Sequence, residues 1–544
     1  MKKIIWGAGF FGRLCAIQLG VENVDYFIDI NPPRSGNCFG KKVLTPDEVT
    51  EWENIFVYVP YNFYYEIADL LKKRGLEENT RFTKYDDAAI LDYSLASEEY
   101  DRAFKEVIHE GDSTESIKNA AWGGFWASKS NYSAIYREII KRYNLFLFSE
   151  TIGWNQNEAK RILGVNTVIL PAFMTSDHVY VNAESVSSHE ELVDNAMVRR
   201  YVNYLLKQPR TISKKSAFWQ ASKTYSYIEN VLETYKPKCL IIGGSDALVH
   251  KLIREISKKN GTRVLFSHPS VLPGTISMDP SGDVGDSIPC LYSEAFRNLR
   301  VENRDIENAD KVLAYLRDAK LNRKIQPKTE WKISVEKRLL PKRPIVFYAG
   351  QKDIDCSMVP YTQESKQYHS PVFKSTFEAS VYLARVCRQN NWNFIYKPHP
   401  MYIRKNEQHR LPDNVIYVPY ADINDLIDFV DVVVTIRSTT NYVALIRKKP
   451  VLMLGYTQTR NQGCTYEAFE KKSVEPMLRT AVAKGFTSKQ DLAFREHVAR
   501  MLKYYLYDDM SDRQLRYGLS LPDDCSMFFD LENKLKAMND EDRI

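Results

Sequence analysis

Residues 394–400 spell FIYKPHP, an apolar run that ends in a basic turn between two prolines. A second apolar run, DVVVTI, occupies 431–436 and leads into RSTT at 437–440, and a third, KPVLMLG, occupies 449–455. Short apolar runs bounded by turn formers predict buried parallel strands, and the residues between the last two runs predict a helix over 441–447. A strand, a hydroxyl-rich turn and a helix in this order favour an anion site, because free backbone N–H groups and the positive helix end face the ligand.

The turns that follow these runs are expected to lie side by side, because the carboxyl ends of parallel strands meet at one edge of a sheet. Basic side chains there would supply charge and a titratable donor to a phosphate, while the Ser438 and Thr439 hydroxyls would contact its oxygens. Plain helix capping uses the same hydroxyl geometry and is the alternative for these two residues. We predict a phosphate site formed by Gln351, Lys397, His399, Arg437, Ser438 and Thr439.

The composition is that of an ordinary globular protein. Of 544 residues, 44% are hydrophobic and 26% charged, and a net charge of +6 without a dense basic run argues against a nucleic-acid binder. The eight cysteines form no CxxC pair, which predicts reduced thiols in a cytoplasmic protein and neither a disulfide framework nor a zinc site. No apolar run approaches the ~18 residues of a membrane span, and the amino terminus enters a glycine turn at once, so neither a transmembrane helix nor a signal peptide is expected.

Residues 1–95 carry a short nucleotide-binding pattern, in which the strand KIIW precedes GAGFFG and the next strand ends on Asp29. Gly7, Gly9 and Gly12 allow a tight turn and the close approach of a pyrophosphate, and Asp29 is placed to accept from a ribose hydroxyl. Three interpretations stay open for this turn: a redox dinucleotide, a nucleotide-sugar or other small ligand, and a structural or docking role.

Apolar runs and turn-rich segments divide the rest of the chain. A helical connector is predicted over 96–143, an α/β domain over 144–330, a second α/β domain over 331–488 and C-terminal helices over 489–544. With the small Rossmann-like domain at 1–95, the fold class is predicted to be α/β with several nucleotide-binding-like units.

Several short motifs occur in a fixed order along the chain. They are FSE at 148–150, then HP, LPGT and DP within 268–280, GQKD at 350–353, KPHP at 397–400 and RSTT at 437–440. In this order they resemble the bacterial capsule polysaccharide synthesis family of GT-B glycosyltransferases. Residues 1–95 are similar to the Rossmann-like domain at the front of some sugar acyltransferases.

The resemblance implies a GT-B fold, in which two Rossmann-like domains face a cleft. It implies transfer of a sugar from a nucleotide-activated donor, CMP-, UDP- or GDP-linked, to a glycan or lipid-linked acceptor of a capsule or surface polysaccharide. Such an enzyme would work in the cytoplasm or at the inner face of the membrane. We expect no metal or other cofactor, because the DxD at 353–355 is the only metal-like motif and has no further ligand set beside it.

Two other functions stay open. A glycerol- or ribitol-phosphate transferase of teichoic-acid-like polymers shares KPHP and the Ser-Thr turn. Members of these families usually carry a Glu early in the helix after that turn, where this chain has Asn441 followed by Tyr-Val-Ala. The missing carboxylate favours a third possibility, a non-catalytic nucleotide-sugar-binding scaffold protein.

A transfer with inversion needs a base near the acceptor hydroxyl, and the first α/β domain is expected to supply it. Glu150 follows the first strand of that domain, and His268 and Asp279 lie in the loop region after a later strand. We predict Glu150, Asp279 or His268 as the catalytic base. Asp246, which ends a Gly-Gly-Ser-Asp turn, is a fourth candidate, with helix capping as its ordinary alternative.

Overall fold

The fold is that of a computed structural model of the chain. The structure describes residues 1–30, 32, 36–60, 64–85, 89–111, 121–123, 138–139, 145–150, 167–174, 179–186, 190–207, 212–321, 331–354, 356–399, 407–509 and 518–541.

The strands alternate with helices along most of the chain. In chain order they are β1 Lys2–Trp6, β2 Tyr26–Ile28, β3 Asn37–Cys38, β4 Lys41–Leu44, β5 Ile55–Pro60, β6 Phe82–Tyr85, β7 Ala89–Asp92, β8 Ala121–Gly123, β9 Leu145–Glu150, β10 Thr167–Leu170, β11 Val179–Asn182, β12 Cys239–Gly243, β13 Arg263–Pro269, β14 Thr275–Asp279, β15 Ile345–Ala349, β16 Asn393–Lys397, β17 Val415–Tyr417, β18 Val432–Thr435, β19 Val451–Met453, β20 Tyr466–Glu467 and β21 Leu506–Asp508.

The helices range from one turn to six turns. They are α1 Phe10–Leu19, α2 Tyr64–Lys73, α3 Tyr93–Gly111, α4 Ala196–Leu206, α5 Lys214–Tyr235, α6 Leu248–Lys259, α7 Ile288–Leu291, α8 Ser293–Arg297, α9 Asn303–Asp318, α10 Trp331–Glu336, α11 Gln363–Tyr368, α12 Thr376–Gln389, α13 Glu407–Arg410, α14 Ile423–Phe429, α15 Thr440–Ile446, α16 Lys471–Lys484, α17 Ser488–Tyr504 and α18 Asp530–Glu541.

The chain divides into two compact units. The first comprises Met1–Ser116 and Phe146–Lys236. Its main sheet has the strand order β3-β4-β2-β1-β5-β6, and all of its pairs except β3–β4 are parallel. Counted along the chain, the parallel strands follow the order 3-2-1-4-5 of a Rossmann half. Ile4 and Ile5 of β1 enter separate cores, because successive side chains of a strand point to opposite faces.

Two further parallel pairs, β7–β11 and β9–β10, complete the strands of the first unit. The long helix α5 packs beside β11 and is tied to it by the buried Gln220. The Gln220 amide accepts from Val181 N at 3.2 Å and donates to the carbonyls of Phe173 and Val179 at 3.2 and 3.0 Å. A buried polar side chain with all these partners fixes the helix in register on the strand.

The second unit comprises Ile117–Leu145 and Pro237–Ile544. It contains a sheet in which β8, β12 and β13 are parallel, while β14 and β21 join antiparallel. It also contains the all-parallel sheet β17-β16-β15-β18-β19-β20. The two halves share one core, in which Leu272 and Phe296 from the first half join Phe347 and Val433 from the second. These parts of the chain therefore form a single body.

The structure confirms the α/β class, the small Rossmann-like sheet at the amino terminus and the parallel strands around the RSTT turn. It differs at three places, where Trp122 and Gly123 lie in β8, the turn-rich segment after His268 contains β14, and the C-terminal tail contains β21 as well as helices. All three strands are short, and β14 and β21 join the edge of a sheet as antiparallel strands. Short strands of this kind contain or adjoin turn-forming residues, which hide their apolar pattern in the sequence. A helix predicted over 157–163 lies outside the described residues, and the predicted domain boundaries stay a prediction.

We predict that Gly12→Ala destabilises the first unit while Gly9→Ala does not. A Cβ atom at Gly12 would lie 1.8 Å from the Gly7 carbonyl oxygen, whereas one at Gly9 would meet nothing within 4 Å. Overpacking of this kind costs about 1–3 kcal/mol. Urea unfolding followed by the fluorescence of the buried Trp6 measures both variants. Equal unfolding free energies for the two variants would contradict the tight packing of this turn.

Candidate functional site

The strand order of the second parallel sheet marks a crevice. Counted along the chain, the order is 3-2-1-4-5-6, and it reverses between β15 and β18. Ligands of open α/β sheets bind at the carboxyl ends of the strands at such a reversal. Gln351 follows β15 and Arg437 follows β18, and the Gln351 side-chain oxygen accepts from Arg437 N at 2.9 Å. Two of the predicted site residues therefore meet at this switch point.

Lys397, Pro398 and His399, the described part of the KPHP motif, follow β16 on the other side of β15. Ala349 pairs in register with both Lys397 on β16 and Thr435 on β18. Strands lie about 4.8 Å apart, so the ends of β16 and β18 are about 10 Å apart. Lys397 is buried and His399 half-buried. A Cβ atom at Gly350 would lie 3.1 Å from the Lys397 carbonyl oxygen, so the backbones after β15 and β16 pack tightly at this position.

The RSTT turn presents its hydroxyls at the opposite side of the crevice. The Ser438 hydroxyl donates to Thr440 Oγ1 at 2.9 Å and accepts from Thr440 N at 3.2 Å. Thr439 is the N-cap residue of α15, but its side chain makes no capping bond. Ser438 therefore orders the turn, and Thr439 is half-buried.

Arg437 is committed to carboxylates. Its side chain is 1% exposed, and it donates from Nη1 to Asp246 Oδ2 and from Nη2 to Asp283 Oδ1 at 2.9 Å. Asp286 Oδ1 lies 3.9 Å from Nη2. Burial alone would lower the Arg437 pKa, but the carboxylates raise it well above its ordinary value. The charge of Arg437 is neutralised by aspartates that follow β12 and β14, and its contact with a phosphate stays a prediction.

Three carboxylates share this one guanidinium, and their pKa values separate. Burial raises the pKa of Asp246 to about 7, with Arg437 opposing the shift and the other two aspartates adding to it. Burial and the charge of Asp283 also raise the pKa of Asp286. Burial would also raise the pKa of Asp283. The charges of His268 and Arg437 have the larger effect and hold the pKa of Asp283 below its ordinary value. Asp283 is therefore the member that stays ionised.

Two histidines flank the cluster. His268 Nε2 lies 3.7 Å from Asp283 Oδ2, and its side chain is 22% exposed. His369 Nε2 lies 4.0 Å from Asp246 Oδ1, but this side chain is only 3% exposed, and its Nδ1 has no hydrogen-bond partner among the described residues. Burial, with Arg437 and Lys251 nearby, lowers the His369 pKa well below its ordinary value, so the ring is neutral.

Asp279 is fully buried, and its carboxylate forms hydrogen bonds with the chain segments around it. Its Oδ1 accepts from the backbone N–H groups of Ser281 and Gly282, and its Oδ2 accepts from Ile288 N and from the Tyr505 hydroxyl at 2.8 Å. Burial raises its pKa to about 7 against these hydrogen bonds. Four donors use both oxygens of the carboxylate, so its surroundings favour a structural role.

The remaining predicted residues lie in the first unit. Glu150 is the last residue of β9. In the glycine turn, Gly7 has φ +114° and donates to the Ile28 carbonyl at 2.6 Å. The Asp29 carboxylate accepts from Ala8 N at 2.7 Å, so it braces the turn that was predicted to bind a nucleotide.

Several residues that build the site were not predicted from the sequence. Asp283 and Asp286 lie in a turn-rich segment, and the spacing DVGD was their only signal. Asn441 stands where related families carry a Glu, and it is buried, donating to the Thr457 and Thr459 hydroxyls at 3.1 Å each. Asn441 therefore orders the loop after β19.

No group of three His, Cys, Asp or Glu side chains in the described ranges is arranged to hold a metal ion. Within those same ranges, no helix is long and apolar enough to cross a membrane.

The fold and the site together define an α/β protein with a Rossmann-like sheet, in which the candidate site lies at the switch point of the strand order. Residues 307–517, which carry that sheet, match the family described as "Capsule polysaccharide biosynthesis protein". The match covers the segment that contains the GQKD, KPHP and RSTT motifs, and it supports the resemblance to capsule polysaccharide synthesis proteins. No curated protein matches the chain in sequence.

Solved structures similar to the chain include two transferases of Thermosulfurimonas dismutans KpsC. The β-Kdo 2,7 transferase is 20% identical over 57% of this chain and 89% of its own, with a TM-score of 0.34. The β-Kdo 2,4 transferase is 15% identical over 51% and 82%, with a TM-score of 0.34. The UDP-GlcNAc 2-epimerase of Methanocaldococcus jannaschii is 12% identical over 63% of this chain and 94% of its own, with a TM-score of 0.29.

The pKa of Asp246 is raised and that of Asp283 is lowered, so we predict that these two aspartates affect stability in different pH ranges. Folded Asp246, with its pKa raised to about 7, keeps a proton that the unfolded chain releases near pH ~4, so its contribution to stability is lost as pH rises through that window. Asp246→Asn should therefore gain stability relative to the wild type between pH ~4 and ~7, by up to about 1.4 kcal/mol per pH unit.

Asp283→Asn is the matched control. The pKa of Asp283 is lowered, so its contribution is present above the ordinary carboxyl range and is lost only as pH falls below it. This variant should show no such gain between pH ~4 and ~7. Chemical denaturation at a series of pH values measures both variants. Parallel stability curves for the wild type and Asp246→Asn would refute the raised pKa.

Proposed function

We propose that this chain is a glycosyltransferase, which transfers a sugar from a nucleotide-activated donor to a capsule or surface-polysaccharide acceptor. The observation that carries the proposal is the crevice at the reversal of strand order, flanked by the KPHP and RSTT turns. It lies in the segment that matches the capsule polysaccharide biosynthesis family.

The donor phosphate would lie between the two turns. Lys397 and His399 would neutralise its charge from the side of β16, and the Ser438 and Thr439 hydroxyls would contact it from the side of β18. The ends of these strands are about 10 Å apart, a span that a diphosphate and the side chains on either side of it can fill. Arg437 would act on the donor indirectly, because its guanidinium is held by Asp246 and Asp283.

The acceptor hydroxyl needs a base, and we propose His268. Its side chain is part-exposed at the carboxyl end of β13, whereas both oxygens of Asp279 are used by the surrounding chain. As the acceptor oxygen bonds to the anomeric carbon, the bond from that carbon to the phosphate oxygen breaks. The nucleotide leaves with the bonding electrons, and His268 takes the hydroxyl proton. Glu150 stays a candidate for the same role.

The buried Asn441 favours the second candidate, a nucleotide-sugar-binding scaffold without turnover. Its amide is used by Thr457 and Thr459, so no carboxylate from this position reaches the donor. Turnover of a panel of CMP-, UDP-, GDP- and CDP-linked donors, with and without EDTA, decides between the two. Product analysis for phosphorus separates sugar transfer from glycerol- or ribitol-phosphate transfer. Binding without turnover across the panel would replace the enzyme by the scaffold, and loss of turnover with EDTA would refute a metal-free transfer.

His399→Ala and Ser438→Ala should each weaken donor binding or turnover by about tenfold or more, the scale of losing one charge-assisted contact of ~1.4 kcal/mol. His409→Ala is the matched control, because His409 is exposed at the end of α13. Calorimetric titration with the donor nucleotide and steady-state kinetics measure the effect. Wild-type behaviour of both site variants would refute the phosphate site.

The three predicted bases should respond differently to substitution. His268→Ala should lower kcat by about a hundredfold with donor affinity kept, because a general base acts as the hydroxyl loses its proton. Asp279→Asn should instead lower the unfolding temperature, because its four donors include three backbone N–H groups. Glu150→Gln tests the remaining candidate. A large loss of kcat in Glu150→Gln, with His268→Ala unaffected, would move the base to the first unit.

A further inference from the structure

We infer that residues 331–344 form a docking surface for an anionic lipid bilayer. This basic segment comprises α10 and the turns that lead into β15, and it exposes apolar and basic side chains together. The inference goes beyond the proposed transfer and does not depend on it, because binding to a bilayer is measured without donor or acceptor.

One side of the basic segment is fixed to the core of the second unit. Val335 is buried in that core, and Trp331 and Leu339 pack against it. The Trp331 ring meets the Phe429 ring edge-on, with the two centroids 5.4 Å apart. Because these three inward side chains are spaced four residues apart, they lie on the same side of α10 and of the turn that continues it. The rest of the segment is thereby held at the surface.

Two large apolar side chains of the basic segment are exposed. Ile333 is 59% exposed and Leu340 is 49% exposed. The backbone of Leu340 is held in place by the Asn393 side chain. Leu340 N donates to Asn393 Oδ1 at 2.8 Å, and Asn393 Nδ2 donates to the Leu340 carbonyl at 3.0 Å. Single exposed apolar residues are ordinary on a protein surface, so the significance of this pair depends on the charges around it.

The charges around the two apolar side chains are mostly positive. Five exposed cations lie in the segment, namely Lys332, Lys337, Arg338, Lys342 and Arg343. Glu336 is the one carboxylate of the segment, and it lies 3.9 Å from Lys332. Asp431 lies at the end of the segment, where its carboxylate accepts from Ile345 N at 2.8 Å. Five cations and two carboxylates leave an excess of three positive charges.

This combination favours a bilayer over a dissolved polyanion. Basic residues are attracted to an anionic membrane surface, and apolar side chains among them enter the boundary between headgroups and acyl chains. A nucleic acid or an acidic polysaccharide would bind the cations, but it would gain little from Ile333 and Leu340. An anionic lipid surface therefore accounts for both features of the segment.

The position of the basic segment leaves the candidate site open. Ile345 and Asn393, which adjoin the segment, are the first residues of β15 and β16 and pair in register. The crevice lies at the opposite, carboxyl ends of these strands. A strand of five residues, such as β15, spans about 16 Å. A bilayer bound at the amino ends would therefore leave the crevice accessible to a water-soluble donor.

Vesicle flotation with the full-length protein tests the docking surface. The protein should float with phosphatidylcholine vesicles that contain about a third phosphatidylglycerol, and about tenfold less with vesicles of phosphatidylcholine alone. Equal flotation with both kinds of vesicle, or flotation with neither, would overturn the inference.

Two double variants separate the charges from the apolar side chains. Lys337→Gln with Arg343→Gln should weaken partitioning onto the anionic vesicles about 25-fold, since each basic residue near such a surface contributes about fivefold. Ile333→Ser with Leu340→Ser should weaken it by about tenfold or more, because the apolar contacts are lost while every cation is kept. Loss of binding in the first variant alone would assign the segment to a polyanion and overturn the bilayer.

Matched controls lie on other helices of the second unit. Arg304→Gln with Lys472→Gln removes the same charge from side chains that are 78% and 85% exposed on α9 and α16. Leu492→Ser removes an apolar side chain that is 47% exposed on α17. These variants should partition onto the vesicles within about threefold of the wild type. A loss as large as that of the segment variants would contradict a localised surface.

Amide hydrogen exchange of the wild type covers the case in which a variant does not fold. Anionic vesicles should slow exchange in residues 331–344 and leave α16 at 471–484 unchanged. Slower exchange confined to other segments would overturn the inference. Slower exchange at 331–344 in a protein that transfers no sugar would keep the docking surface and refute the proposed function.

Discussion

The site depends on one buried guanidinium. Arg437 follows β18, and its guanidinium is almost fully removed from water. Burying such a charge costs free energy unless carboxylates lie next to it. Asp246 and Asp283 do so, and they come from turns after β12 and β14 on the other sheet of the second unit. Because an unpaired charge on either side would be strongly destabilising, the pairing fixes the ends of the two sheets relative to each other. The crevice at the switch point takes its shape from that constraint.

Close backbone contacts act together with the ion pairs. A Cβ atom at Gly285 would lie 1.7 Å from the Tyr368 carbonyl oxygen, and one at Gly455 would lie 2.4 Å from the His369 carbonyl oxygen. The loop that carries Asp283 therefore touches loops of the parallel sheet with no side chain between them. At such distances water is excluded, which strengthens the interaction of Arg437 with its carboxylates and also raises the pKa of Asp246.

The sequence predicted those parts of the fold in which the local pattern of apolar residues determines the secondary structure. It predicted the site only in part. The runs at 394–397 and 431–436 are continuous and apolar, so their parallel strands and the turns after them followed from the sequence. The strands β14 and β21 did not, because short antiparallel edge strands have no such pattern. Arg437 was expected to face a phosphate, since a sequence shows which residues follow a strand but not which carboxylates meet them from another sheet.

In the proposed transfer, charged residues at the crevice would serve two different steps. Lys397 and His399 lie at the end of β16, where the leaving phosphate would gain negative charge and would need cations or donors. His268, which lies beside Asp283 on the other sheet, would take the proton that the acceptor hydroxyl loses. Arg437 follows β18 and is paired with aspartates of the other sheet. Because these carboxylates already balance its charge, Arg437 would attract the donor phosphate only weakly, and the charge of the phosphate would be left to Lys397 and His399.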